Sequence, residues 1–142
     1  MKINLLLLSS LFFTVSLFAQ IDSSDKPRHE NFIVEEMPEY IGGFKALKEH
    51  IETNITYSEK ALNDKISGIV YVSFNVETNG SISDPEVVKS LYPDLDSISL
   101  QIVRNMPKWK PGMQKGKPKK IKINLPIEFD LKAYKKRNKK KR

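Results

Sequence analysis

The stretch from Gly68 to Glu77 narrows the folds open to this chain more than any other. Val70, Val72, Phe74 and Val76 fall on one side of a two-residue repeat, while Ser73, Asn75 and Glu77 fall on the other, with Ile69 and Tyr71 partly apolar there. Alternation of this kind marks a strand buried on one face. Asn79-Gly80 follows directly and is the preferred pair for a tight hairpin, because both central positions need φ > 0. A second strand is therefore expected from about Ser81 to Leu91. Pro85 lies inside it and has no N–H for a ladder, which puts that strand at a sheet edge or on a bulge.

Helical spacing brackets the hairpin. Phe44, Leu47, Ile51 and Ile55 share one face of a helix, and Ser58 can cap a second, short helix carrying Ala61 and Leu62. Asp94 can cap a later helix whose buried stripe is Leu95, Ile98, Ile102 and Met106; Pro107 stops it. A lone tryptophan, Trp109, then stands between Pro107 and Pro111. A lysine-rich loop leads to a third strand, Ile121 to Phe129, which contains Pro126 and so also belongs at an edge. The simplest sheet has three strands, antiparallel or mixed, with Gly68–Glu77 central and the proline-bearing strands outside. Helices cover one face, which makes an α+β sandwich of two layers. An edge strand leaves one row of N–H and C=O groups unpaired, and another chain can pair with it. This points to a partner-binding module, and it equally allows a strand-exchanged dimer.

The ends of the chain read differently. Residues 1–19 have a lysine at position 2, an almost wholly apolar run from Ile3 to Phe18, and the small Ala19. This reads as a secretory signal peptide with the cut expected between Ala19 and Gln20; the alternative is an uncut, short membrane anchor. Residues 20–34 form a polar linker, in which Phe32-Ile33-Val34 is either a small strand or a docking segment. The net charge of +7 is unevenly distributed: residues 1–107 carry −6 and residues 108–142 carry +13. The tail, 132–142, has no apolar residue after Tyr134 and reads as a disordered basic segment. It is either a solvated tail or a contact for anionic lipid headgroups. Nucleic acid is not expected as a partner of a secreted chain.

No catalytic constellation is present. The chain has no cysteine, which excludes disulfides, thiolate metal sites and thiol catalysis. His29 and His50 are far apart with no metal-ligand spacing near either, and the acidic pairs Glu35-Glu36 and Asp94–Asp96 lack a nucleophile or a phosphate loop. The expectation is a non-enzymatic protein with no cofactor and no metal. Trp109 is either a core plug or a surface anchor; Tyr57 and Tyr71 either pack or touch a ligand.

The chain resembles the C-terminal domain family of TonB, the periplasmic energy transducer, especially its Bacteroidetes-type stand-alone versions. The residues that carry the likeness run in family order. They are Met37-Pro38-Glu39-Tyr40 with Gly42-Gly43, Gly68 to Phe74, Asn79 to Ile82, Leu95-Asp96, Met106 to Gly112, Gly116-Lys117-Pro118, and Leu125 to Phe129. The resemblance covers about residues 35–131. It implies a periplasmic location and a part in TonB-dependent transmembrane transport. It further implies that a TonB-box segment of an outer-membrane receptor, or another envelope protein, adds as a strand beside the last strand. Carried over residue by residue, the binding positions are Ile121, Lys122, Ile123, Asn124, Leu125 and Ile127, with Asn54, Thr56 and Tyr57 from the segment before the first sheet strand.

The sequence departs from the family pattern at Ile41, at Ser99 and at Lys119-Lys120. A linker of about a dozen residues spans roughly 40 Å, short of a crossing from one membrane to the other. Three readings follow: a receptor-binding module, a membrane-surface structural protein of the envelope using the basic tail, and a minimal anchored transducer that keeps its leader.

Overall fold

A computed structural model describes residues 34–140. The leader, the linker up to residue 33 and the last two residues lie outside the described residues, and of Phe32-Ile33-Val34 only Val34 is described, in no strand. In chain order the elements are α1 (Gly43–Asn54), α2 (Glu59–Asn63), β1 (Gly68–Val76), β2 (Ile82–Lys89), α3 (Pro93–Arg104), β3 (Gly112–Gln114), β4 (Lys117–Lys119), β5 (Ile121–Phe129) and α4 (Leu131–Lys139).

The main sheet is three-stranded in the order β2-β1-β5, and both pairings are antiparallel. The strand with the strongest alternation is therefore the central one, flanked by the two proline-bearing strands. Val70, Val72, Phe74 and Val76 are fully buried on one face. Leu125, Ile127 and Phe129 of β5 continue that face, since Val72 lies opposite Leu125 and Val70 opposite Ile127. α3 lies against β1 and β2 and buries Leu95, Ser99, Ile102 and Val103. Ser99 tolerates burial because its Oγ donates to the Leu95 carbonyl at 2.8 Å, so no polar atom is left unpaired. Pro85 stands on the outer strand β2, whose register against β1 slips twice, and neighbouring Asp84 adopts φ 50°. Both of the positions open to this proline are thus occupied at once.

Trp109 is a core residue, 6% exposed. Its ring meets Tyr40 and Phe74 edge-on, each with centroids 5.5 Å apart. Its backbone N–H donates to the Gly80 carbonyl at 2.8 Å, and a Cβ on Gly80 would stand 2.0 Å from the Trp109 carbonyl oxygen. The glycine of the hairpin turn thus serves two ends: its φ of +83° closes the turn, and its bare Cα admits the tryptophan backbone.

Several expectations need correction. Asp94 does not cap α3. Pro93 opens the helix, Tyr92 is the flanking residue, and the Asp94 carboxylate instead accepts Ser58 Oγ at 2.7 Å. Proline suits the first helical position because its missing N–H would be unpaired there anyway. Ser58 does cap α2, accepting the Ala61 N–H at 3.1 Å. The lysine-rich stretch before β5 is not a plain loop but the β3–β4 hairpin, turned at Lys115 and Gly116, which both have positive φ. Glu35 braces that turn by accepting the N–H groups of Lys115 and Gly116. The flanking segment pairs with the chain there too: the Glu39 and Lys110 backbones exchange hydrogen bonds, and Met113 N–H donates to Glu36 O.

The tail expected to be disordered is α4 as far as Lys139. Asp130 caps it, accepting the N–H groups of Lys132 and Ala133 at 2.8 and 3.0 Å. Leu131 is buried, and the Tyr134 ring lies 4.7 Å from that of Tyr57. A cap and two docked apolar groups offset an ordering cost that the lysines alone could not.

Candidate functional site

β5 pairs with β1 along its whole length and, among the described residues, with no strand on its other side. Which of its backbone groups face outward follows from the hairpin. Glu77 N–H donates to Ser81 O at 2.8 Å, so the backbone of Glu77 points toward β2. Backbone direction alternates along a strand, so Val76, Phe74, Val72 and Val70 point toward β5. Their opposite residues are Ile121, Ile123, Leu125 and Ile127. The groups left on the free edge are therefore those of Lys122, Asn124, Pro126 and Glu128. The proline falls on the side where its missing N–H breaks no internal bond, as strand prolines do. The outward edge offers three donors, at Lys122, Asn124 and Glu128, with a gap at Pro126.

A groove of about 570 Å³ runs beside the last part of this edge. Its floor includes Leu125, Pro126 and Glu128; α1 gives one wall through Phe44, Leu47 and Ile51; Ala133 and Arg137 of α4 stand at its end. Lys48, Glu52 and Asp130 supply charge around this apolar lining. Phe44 is 80% exposed. The helical stripe that contains it is only partly core: within α1, Leu47 alone is buried. Phe44 lines the groove only, while Leu47 belongs to both groove and core and Ile51 packs against the core from the groove side.

The residues singled out from the sequence are only partly brought together. Lys122 and Asn124 are exposed on the outer face, and their backbones lie on the free edge. Ile121 and Ile123 are half-buried, and Leu125 and Ile127 are buried in the core; these four anchor the strand to β1. Asn54 ends α1, where its Nδ2 donates to His50 O at 2.7 Å, and Thr56 is exposed. Tyr57 is buried, edge-on to Phe129 at 5.8 Å, and burial raises its hydroxyl above the ordinary tyrosine range. It packs rather than reaches out. Tyr71 is half-buried beneath the Lys89 ammonium. Sequence reasoning placed Pro126 and Glu128 on the edge strand but left them out of the binding positions, and it missed Phe44, Ile51, Ala133 and Arg137 as groove residues. The alternation of β5 could have supplied the first two, while the others depend on where α1 and α4 come to lie.

The outer sheet face beside the edge is a charge lattice. Lys122 Nζ reaches over β1 to Glu86 at 3.0 Å, and Ser73 Oγ donates to the same carboxylate. Lys120 pairs with Glu77 at 2.8 Å, and Ser83 Oγ also donates to Glu77. The Lys122 hydrogen bond holds Glu86 below the usual carboxylate range, and the Lys120 hydrogen bond does the same for Glu77. A depressed folded-state value means stability that is present above the unfolded value, about 4.3, and is lost as the pH falls through the lower folded value. In Glu86→Gln the loss of thermal stability on acidification below about pH 4.3 should be shallower than in the parent, as followed by circular dichroism melts.

Among the described residues no cluster of His, Asp and Glu could hold a metal ion. His50 packs on Tyr40, with Nε2 3.2 Å from Ile102 O.

No curated protein matches the chain. Two NMR solution structures of the TonB C-terminal domain of Helicobacter pylori are similar to it. The first has 25% identity and a TM-score of 0.49 over 62% of this chain and 92% of that one. The second has 24% identity and a TM-score of 0.46 over 60% and 77%. The family model described as the C-terminal region of the Gram-negative bacterial TonB protein matches residues 53–131, more than half of the sequence, from the end of α1 through all of the sheet. This chain belongs to the TonB C-terminal domain family.

Proposed function

We propose that this domain takes an extended segment of a TonB-dependent outer-membrane receptor as an added strand on the free edge of β5, in the periplasm, with one apolar side chain of that segment seated in the groove against Phe44. Domains of this family are periplasmic, non-enzymatic and work with TonB-dependent receptors in transport. The observation that carries the finer reading is the unpaired edge of β5 lying open beside an apolar groove. Backbone bonds at Lys122, Asn124 and Glu128 supply sequence-independent affinity, and the groove supplies selection. The gap at Pro126 favours a segment that needs no acceptor paired there. Among the described residues no helix is long and apolar enough to cross a membrane.

Calorimetry with a TonB-box peptide tests this. The parent chain should bind, and Phe44→Ala should weaken binding about tenfold by removing one apolar contact of roughly 1–2 kcal/mol. Its folding stability should barely change, because the ring is 80% exposed. Absence of binding by the parent chain would remove the proposal.

A further inference from the structure

We propose that α4 is a docking face for an anionic phospholipid bilayer, a role separate from receptor capture and borne by a helix that begins at the last residue of the family match. Lys132, Lys135, Lys136 and Lys139 are spaced by three, four and seven residues from the first, so they share one face of the helix. All four are exposed, and among the described residues none has an ion-pair partner. The opposite face is committed to the domain: Leu131 is buried, Tyr134 rests on Tyr57, and Asn138 is half-buried. The result is a cluster of four exposed lysines along about 10 Å of a docked helix.

Like charges at these spacings destabilise a helix. The Asp130 cap, the buried Leu131 and the favourable position of cations toward the helix C-terminus hold it in spite of them. An extended negative surface relieves that repulsion for all four lysines together. The chemistry of the face favours lipid over nucleic acid. It carries no aromatic ring for base stacking. Its nearest guanidinium, Arg137, lies over the Tyr134 ring and lines the groove instead. Lysine heads act as point charges suited to a diffuse headgroup layer. With its apolar side already occupied, the helix lies on the headgroups and does not insert.

The test is co-sedimentation of the full chain with vesicles of phosphatidylglycerol mixed with phosphatidylcholine, against pure phosphatidylcholine; the difference between the two isolates charge from any apolar insertion at the N-terminus. Each lysine at such a surface strengthens binding about fivefold. The combined change Lys132→Gln, Lys135→Gln, Lys136→Gln and Lys139→Gln should therefore cost at least about a hundredfold on the anionic vesicles, with the helical circular dichroism signal kept, since glutamine is a comparable helix former. A second variant lowers the net charge equally elsewhere, with glutamine at Lys45, Lys108, Lys115 and Lys117, and should retain most of the binding. Binding in the parent should also fall steeply with salt. Equal loss in the two variants, undiminished binding in the helix variant, or tighter binding to duplex DNA than to the anionic vesicles would overturn the proposal.

Discussion

Trp109→Ala is expected to lower the stability of the domain by about 3–5 kcal/mol, the range for emptying a large buried aromatic site. That is a large share of the roughly 5–15 kcal/mol by which such domains are stable. The reason is position as much as size. The indole is flanked by Tyr40 from the segment before α1 and by Phe74 at the centre of the sheet. Its backbone is tied to the β1–β2 turn through Gly80 and, one residue on, to Glu39 through Lys110. Removing the ring opens a cavity at the meeting point of three parts of the chain that cannot all collapse inward, because Pro107 and Pro111 stiffen the approach from both sides. Urea unfolding measures the loss. Trp109→Phe, which keeps an aromatic ring in the slot, should cost clearly less. A near-neutral alanine variant would contradict the core assignment.

Asn124→Pro is expected to abolish most binding of a strand-adding peptide while leaving the domain folded. The Asn124 N–H is one of the three outward donors, and its side chain is exposed. Proline there removes no bond to β1, yet with Pro126 it leaves two consecutive outward positions without a donor, and its ring stands where the visiting strand must approach. Losing one bond at about 1–1.5 kcal/mol and adding a steric obstruction should weaken affinity by well over tenfold in calorimetry. The same change at Leu125 acts on the fold instead, because the Leu125 backbone faces Val72 and its side chain is buried. The pair of variants separates edge recognition from stability: Asn124→Pro should keep the parent melting profile, and Leu125→Pro should not.

Much of this architecture is legible in the residues, for reasons that are local. β1 and β5 declare themselves by alternation, the turn by Asn79-Gly80, the end of α3 by Pro107, and the outer strands by their prolines. What is not legible depends on partners distant in the chain. The β3 and β4 strands are three residues each and mostly polar, and they are held by Glu35 and Glu36, some eighty positions away. α4 looks like a charge run until Tyr134 is seen to meet Tyr57. Phe44 sits in a good helical stripe, and periodicity alone does not say where that stripe leaves the core. The binding edge divides in the same way. Pro126 marks β5 as an outer strand, but which way its backbone faces becomes fixed only through the Glu77–Ser81 bond and the register between β1 and β5. The groove is a product of how α1 and α4 are placed, and most of both lies outside the segment that matches the family.

A visiting strand that bonds to the outward backbone of β5 leaves a direct mark on amide hydrogen exchange, read by NMR on adding a TonB-box peptide. The N–H groups of Lys122, Asn124 and Glu128 should become protected, while those of Ile123, Leu125 and Ile127, already bonded within the sheet, should be protected both before and after. Bound peptide with these three amides still exchanging freely would contradict the account.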